Sequence, residues 1–89
     1  MTTYALDPVA VVWTQADDEI VAIDNQTAEF FTLNDTAACL WIMLAAGTTA
    51  PEMVAKLTSE YEPIDQEQAE RDVRDFLLLL EAKAFLKKH

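Results

Sequence analysis

Glu29-Phe30-Phe31-Thr32-Leu33-Asn34-Asp35-Thr36 reads as a strand that stops and becomes a helix. Phe30, Phe31, Thr32 and Leu33 are aromatic, β-branched or aliphatic side chains that suit a half-buried pleat. Asn34 is a residue type that caps a helix, because its side-chain oxygen can accept from a free N–H of the first turn. Asp35 then sets a negative charge at the positive end of the helix dipole. Ala37, Leu40, Trp41 and Leu44 follow at spacings that share one helical face. Upstream of this junction the pattern is β, and downstream it is helical.

Working back from the junction, Val9–Thr14 and Glu19–Asp24 read as two further strands. Gln15–Asp18 and Asp24–Thr27 are the connections, and Met1–Pro8 is a lead-in. With Ala28–Leu33 as the third strand, this is an antiparallel meander. Working forward, helix one covers Asp35–Ala46 and ends at Gly47, the only glycine, where a positive φ is wanted. Thr49-Ala50-Pro51-Glu52 is a capping box that opens a second helix to about Tyr61, burying Met53, Val54, Leu57 and Tyr61. Pro63 separates it from a third helix, capped at Asp65 and running to about Lys83. Its stripe is Ala69, Val73, Phe76, Leu77 and Leu80, and Phe85 and Leu86 pack back as a tail. The expected fold is α+β and winged-helix-like: a three-stranded antiparallel sheet followed by three helices in one domain spanning residues 1–89.

Composition narrows the function. Sixteen acidic side chains against six basic ones give a net charge of −10, which repels phosphate backbones and anionic membrane surfaces. A winged-helix transcriptional regulator is the alternative this charge disfavours. No apolar run approaches the ~20 residues of a membrane span, and no signal peptide is legible, so a cytoplasmic protein is expected. One glycine cannot build a phosphate loop. His89 is the only histidine and sits at the terminus, so Cys39 has no internal base to activate it, and an ordinary small apolar residue is expected there. The carboxylates of Asp17-Asp18-Glu19, Glu60, Glu62, Glu67, Glu70, Asp72 and Asp75 suit a solvated surface better than a paired acid–base site. No enzyme, no metal and no cofactor are expected.

An interaction surface remains. The third strand follows its neighbours in a meander and so belongs at a sheet edge, where unpaired N–H and C=O groups can be completed by an extended peptide. From the 100° helical step, Asp72, Asp75, Phe76 and Leu79 lie on one flank of helix three; Arg71, Arg74 and Leu78 lie on the other. One flank can form a groove with the edge strand.

Residues 29–37 followed by Leu40-Trp41 resemble the aromatic-aromatic-x-Leu-Asn-x-Thr … Ile/Leu-Trp signature of PqqD-like proteins. Asp72-Val73-Arg74-Asp75-Phe76-Leu77-Leu78-Leu79-Leu80 with Phe85-Leu86 is similar to that family's D-V-x-x-F-L-x-x-L … G-L ending. The likeness spans about Val9 to Leu86. It implies a RiPP recognition element: a non-catalytic module that binds the leader of a ribosomally made precursor peptide and presents it to tailoring enzymes. The leader adds to the third strand and inserts apolar side chains between it and the third helix. The resemblance is nearest to freestanding lasso-peptide members, whose partner is a separate leader peptidase. On this view the peptide-binding residues are Glu29, Phe30, Phe31, Thr32 and Leu33, with the backbone of Phe30, Phe31 and Thr32 pairing with the leader. Phe76 and Leu79 line the apolar slot, and Asp72 and Asp75 meet polar or basic leader groups. Such an interface gives micromolar to nanomolar binding, about 8 to 12 kcal/mol. Two departures stand out. Glycine is common in the family at Ala37 and before the final Leu, where this chain has Ala84-Phe85-Leu86, and Ile42 replaces a common charged residue, which suggests an apolar contact with a partner enzyme.

Overall fold

The computed structural model describes residues 2–61 and 64–88. Pro63, expected to separate two helices, and His89, expected in a solvated tail, lie outside the described residues, as do Met1 and Glu62. The chain runs β1 (Thr3–Leu6), β2 (Val11–Ala16), β3 (Glu19–Asp24), β4 (Phe30–Leu33), α1 (Asp35–Ala46), β5 (Thr48–Thr49), α2 (Ala50–Glu60), α3 (Gln66–Ala82) and β6 (Leu86–Lys88).

Strands β2, β3 and β4 form the expected antiparallel meander in that order, and three helices follow it. Its inner face carries Val11, Ile20 and Ala22, all buried, with Trp13, Phe31 and Leu33 packed against the core. From the helices, Leu40, Trp41 and Leu44 of α1, Met53 and Leu57 of α2, and Ala69, Val73, Phe76, Leu77 and Leu80 of α3 close over that face. The expected α3 stripe is the one that is buried.

The N-terminal lead-in is a correction. Residues Thr3–Leu6 form the central strand of a second antiparallel sheet, ordered β5-β1-β6. Tyr4 pairs with both Thr48 and Lys88, and Leu6 pairs with Leu86. Four residues are too few to show a period, and their partners lie more than forty positions away in sequence, so nothing local marks them as a strand. The tail expected at Phe85 and Leu86 thereby runs into an ordered strand that begins at Leu86. The helical half of the chain thus contributes β5 and β6 as well as helices.

Other boundaries shift for local reasons. The Asp7 carboxylate accepts from the Val9 N–H at 2.9 Å, and the Asp7 carbonyl accepts from Ala10 and Val11. This turn holds Val9 and Ala10 out of the ladder, so the strand starts at Val11 and extends through Gln15 and Ala16, which the sequence placed in a connection. The Ala28 N–H donates to the Asp24 carbonyl at 2.8 Å, and Ala28 adopts φ +64°, which delays β4 to Phe30. Asn34 occupies the N-cap position of α1, but its side chain makes no capping bond. Asp35 enters the helix at φ +53°, and the capping geometry needs right-handed residues after the cap. By contrast, the Thr49 and Asp65 caps form as expected: the Glu52 N–H donates to Thr49 Oγ1 at 3.3 Å, and the Gln68 N–H donates to Asp65 Oδ1 at 2.8 Å.

The end of α3 aims the aromatic tail. The Ala84 N–H donates to the Glu81 carbonyl, and the Phe85 N–H donates to the Leu80 carbonyl, both at 3.0 Å. These are the two bonds of a Schellman motif, with Ala84 at φ +61° in the position that favours glycine. An L-residue there costs ~1–2 kcal/mol, of which glycine's greater unfolded-state freedom returns ~0.4–1. Ala84→Gly is therefore expected to stabilise the fold by about 0.5–1 kcal/mol. A thermal melt reads this as a rise of a few degrees.

Candidate functional site: the open edge of β4

Strand β4 pairs with β3 on one side only, as the last strand of its sheet. The hydrogen-bond parity follows from two bonds at the sheet ends. The Asp24 N–H donates to the Glu29 carbonyl at 2.8 Å, so that pair faces inward. Bonded and non-bonded pairs alternate in an antiparallel ladder. The next bonded pairs are therefore Ala22 with Phe31 and Ile20 with Leu33. The Asn25 N–H, which donates to the Ala10 carbonyl at 3.0 Å, gives the same parity from the β2 side of β3. Phe30 and Thr32 are left with N–H and C=O directed at the open edge. The backbone of Phe31, expected to pair with a guest peptide, is turned toward β3 instead. Consecutive residues of a strand point their polar groups in opposite directions, so three in a row cannot all serve one edge.

Side chains alternate as well. Phe30 is 73% exposed, on the outer face, while Phe31 turns inward. The Phe31 ring stacks on Phe85 with centroids 5.9 Å apart and planes 10° from parallel, and meets Trp41 edge-on at 6.1 Å. Trp41 also meets Trp13 and Phe85 nearly at right angles. This cluster fixes β4 against α1 and the segment after α3. The sequence marked Phe85 only as a tail residue; its place beneath Phe31 depends on the reversal at Ala84.

The α3 flank beside β4 is identified by Lys83, whose Nζ lies 5.6 Å from the centroid of the Phe31 ring. On a helical wheel Lys83 falls with Asp72, Phe76 and Leu79. Phe76 is 9% exposed and forms a floor; Leu79 is 51% exposed and available. Asp72 is half-buried. Asp75 lies further out, its side chain 66% exposed and 3.9 Å from Arg74. Glu29 and Thr32 are exposed and Leu33 is half-buried. Phe30 and Thr32 thus present their backbone at the open edge of β4, Phe31 turns into the core, Leu79 and Asp72 lie on the flank of α3 that carries Lys83, and Asp75 is exposed beside Arg74. Lys83 was missed in sequence, although it lies four positions beyond Leu79 on the same flank.

Two other hollows lie elsewhere. One of about 540 Å³, between α2 and α3, is lined by Tyr4, Pro51, Val54, Leu77 and Leu78 on the flank of α3 turned from Lys83. Another, of about 530 Å³, contains Cys39 and Tyr61 beside the β2–β3 hairpin. Burial pushes the Tyr61 hydroxyl above its ordinary pKa, and Cys39, Glu60 and Asp35 add to the shift. Among the described residues no three His, Cys, Asp or Glu side chains cluster to hold a metal, and no helix is long and apolar enough to cross a membrane.

The fold and this edge define a class: a small winged-helix-like α+β domain whose sheet offers one strand for completion beside an apolar helix flank. Residues 19–86 match the family model described as Coenzyme PQQ synthesis protein D (PqqD). The chain belongs to the PqqD family. Two solved structures are similar over nearly their whole length. TbiB1 in complex with the TbiA(beta) leader peptide is 35% identical with a TM-score of 0.84, covering 93% of this chain and 94% of that one. Lasso peptide synthetase B1 complexed with the leader peptide is 31% identical with a TM-score of 0.80, covering 94% and 96%. No curated protein matches the chain.

Proposed function

We propose that this protein is a RiPP recognition element that captures the leader of a ribosomally made precursor peptide by strand addition to β4. The observation that carries this is the free backbone of Phe30 and Thr32 on a strand with one partner. Support comes from the two similar structures, both of which are leader-peptide complexes. The added strand pairs with Phe30 and Thr32, its inward side chains meet Leu79 above Phe76, and Asp72 and Asp75 receive polar or basic groups. The protein acts without catalysis in the cytoplasm and presents the bound leader to a leader peptidase or other tailoring enzyme, with Ile42, 40% exposed, as an apolar contact for that enzyme. The acidic balance offers nothing to a nucleic-acid backbone.

The test is amide hydrogen exchange with and without synthetic leader peptides, starting with the TbiA(beta) leader bound by the similar TbiB1 and including the leader of any precursor found encoded near this gene. In the free protein Phe31 and Leu33 amides are protected by β3, while those of Phe30 and Thr32 exchange fast. Leader is expected to slow Phe30 and Thr32 selectively. Binding that leaves these two amides fast would place the peptide elsewhere and overturn the proposal.

A further inference from the structure

Four of the six basic side chains lie within 4.0 Å of a carboxylate. Lys56 meets Glu60 at 2.7 Å, Arg71 meets Glu67 at 3.6 Å, Arg74 meets Asp75 at 3.9 Å and Lys88 meets Glu81 at 2.8 Å. Among the described residues Lys83 and Lys87 have no such partner, although the chain carries sixteen acids; Lys87 lies in β6, and Lys83 ends the α3 flank beside β4. Lys83 is exposed, and its ammonium is held over the Phe31 ring at 5.6 Å, within cation–π range. It also lines a hollow with Asp24, Asn25 and Gln26. The Asp24 carboxylate there is engaged by the Gln26 N–H at 2.8 Å and the Thr27 N–H at 3.4 Å. A positive charge is thus kept free, and positioned, at the β3–β4 turn end of the open strand. The acids of the same flank, Asp72 and Asp75, stand nearer the start of α3, about 12–16 Å away along the helix axis at 1.5 Å per residue.

We propose that Lys83 is a specificity-determining residue that reads an acidic side chain of the docked peptide. This rests on peptide docking at β4. The groove is then dipolar. Its occupant carries Asp or Glu where it passes Lys83, and a basic or polar residue about four or five extended positions away, opposite Asp72 and Asp75. Steering by this cation also lets an acidic protein accept a peptide that is not uniformly basic.

The test selects a displayed library of random peptides, long enough to cross the groove, on the wild-type protein and on three variants. Wild type is expected to enrich Asp or Glu at one position. Lys83→Arg keeps that preference, Lys83→Gln loses it, and Lys83→Glu replaces it with Lys or Arg. For one selected peptide, Lys83→Gln is expected to weaken binding about three- to fivefold at low salt. That difference shrinks as salt rises. A lysine serving only α3 or the Phe31 contact would leave the selected sequences unchanged in all variants, and that result overturns the proposal while sparing the docking of peptide at β4. Failure to select any peptide, or selected peptides indifferent to Phe30→Pro, overturns both.

Discussion

Trp41→Ala is expected to remove about 3–5 kcal/mol of stability. For a domain of this size the whole margin is roughly 5–13 kcal/mol, so the variant sits close to unfolding at ambient temperature. Trp41 is fully buried and meets Trp13, Phe31 and Phe85 edge-on. Its loss opens a cavity between α1, the meander and the segment after α3, and no side chain nearby can collapse into it without abandoning its own packing. Trp41→Phe should cost much less. The Trp41 Nε1 has no hydrogen-bond partner, and an unsatisfied buried donor costs about 1–3 kcal/mol, which phenylalanine avoids. Urea denaturation of both variants checks this. An alanine variant with a midpoint near wild type would mean that the aromatic cluster is not what holds the sheet to the helices.

Phe30→Pro is expected to abolish most leader binding while leaving the fold in place. The Phe30 N–H faces the open edge, so proline removes a donor that β3 does not use, and proline is tolerated at such edge positions. A guest strand loses that hydrogen bond and meets the pyrrolidine ring where its carbonyl should approach. The bond alone accounts for up to about tenfold in Kd, and the steric block adds to it. Phe31→Pro makes the opposite trade. It removes an N–H directed at Ala22, and so lowers the melting temperature. Titration calorimetry with leader, paired with a thermal melt, separates the two. Full affinity in Phe30→Pro would show that the peptide does not complete β4.

Much of this was legible in the sequence because the decisive signals are local. The α1 span follows from Asn34 and Gly47, the α2 and α3 starts from Thr49 and Asp65, and the buried stripe of α3 from helical spacing. The edge position of β4 followed from chain order in a meander. What escaped depends on partners remote in sequence. Thr3–Leu6 becomes a strand only because Thr48–Thr49 and Leu86–Lys88 arrive on either side. The hydrogen-bond parity that separates Phe30 and Thr32 from Phe31 depends on register, which residue types alone do not fix. Lys83 escaped because its place over the Phe31 ring depends on the reversal that folds Phe85 back beneath Phe31.

Both tryptophans of the chain sit in the same aromatic cluster, with ring centroids 6.3 Å apart, and Trp41 is one ring removed from β4, the strand proposed to take the guest. Tryptophan emission, excited beyond the tyrosine band, therefore originates from the layer that packs against β4. Docking at β4 is therefore expected to shift that emission, a gauge of occupancy readable in dilute solution without attaching a dye.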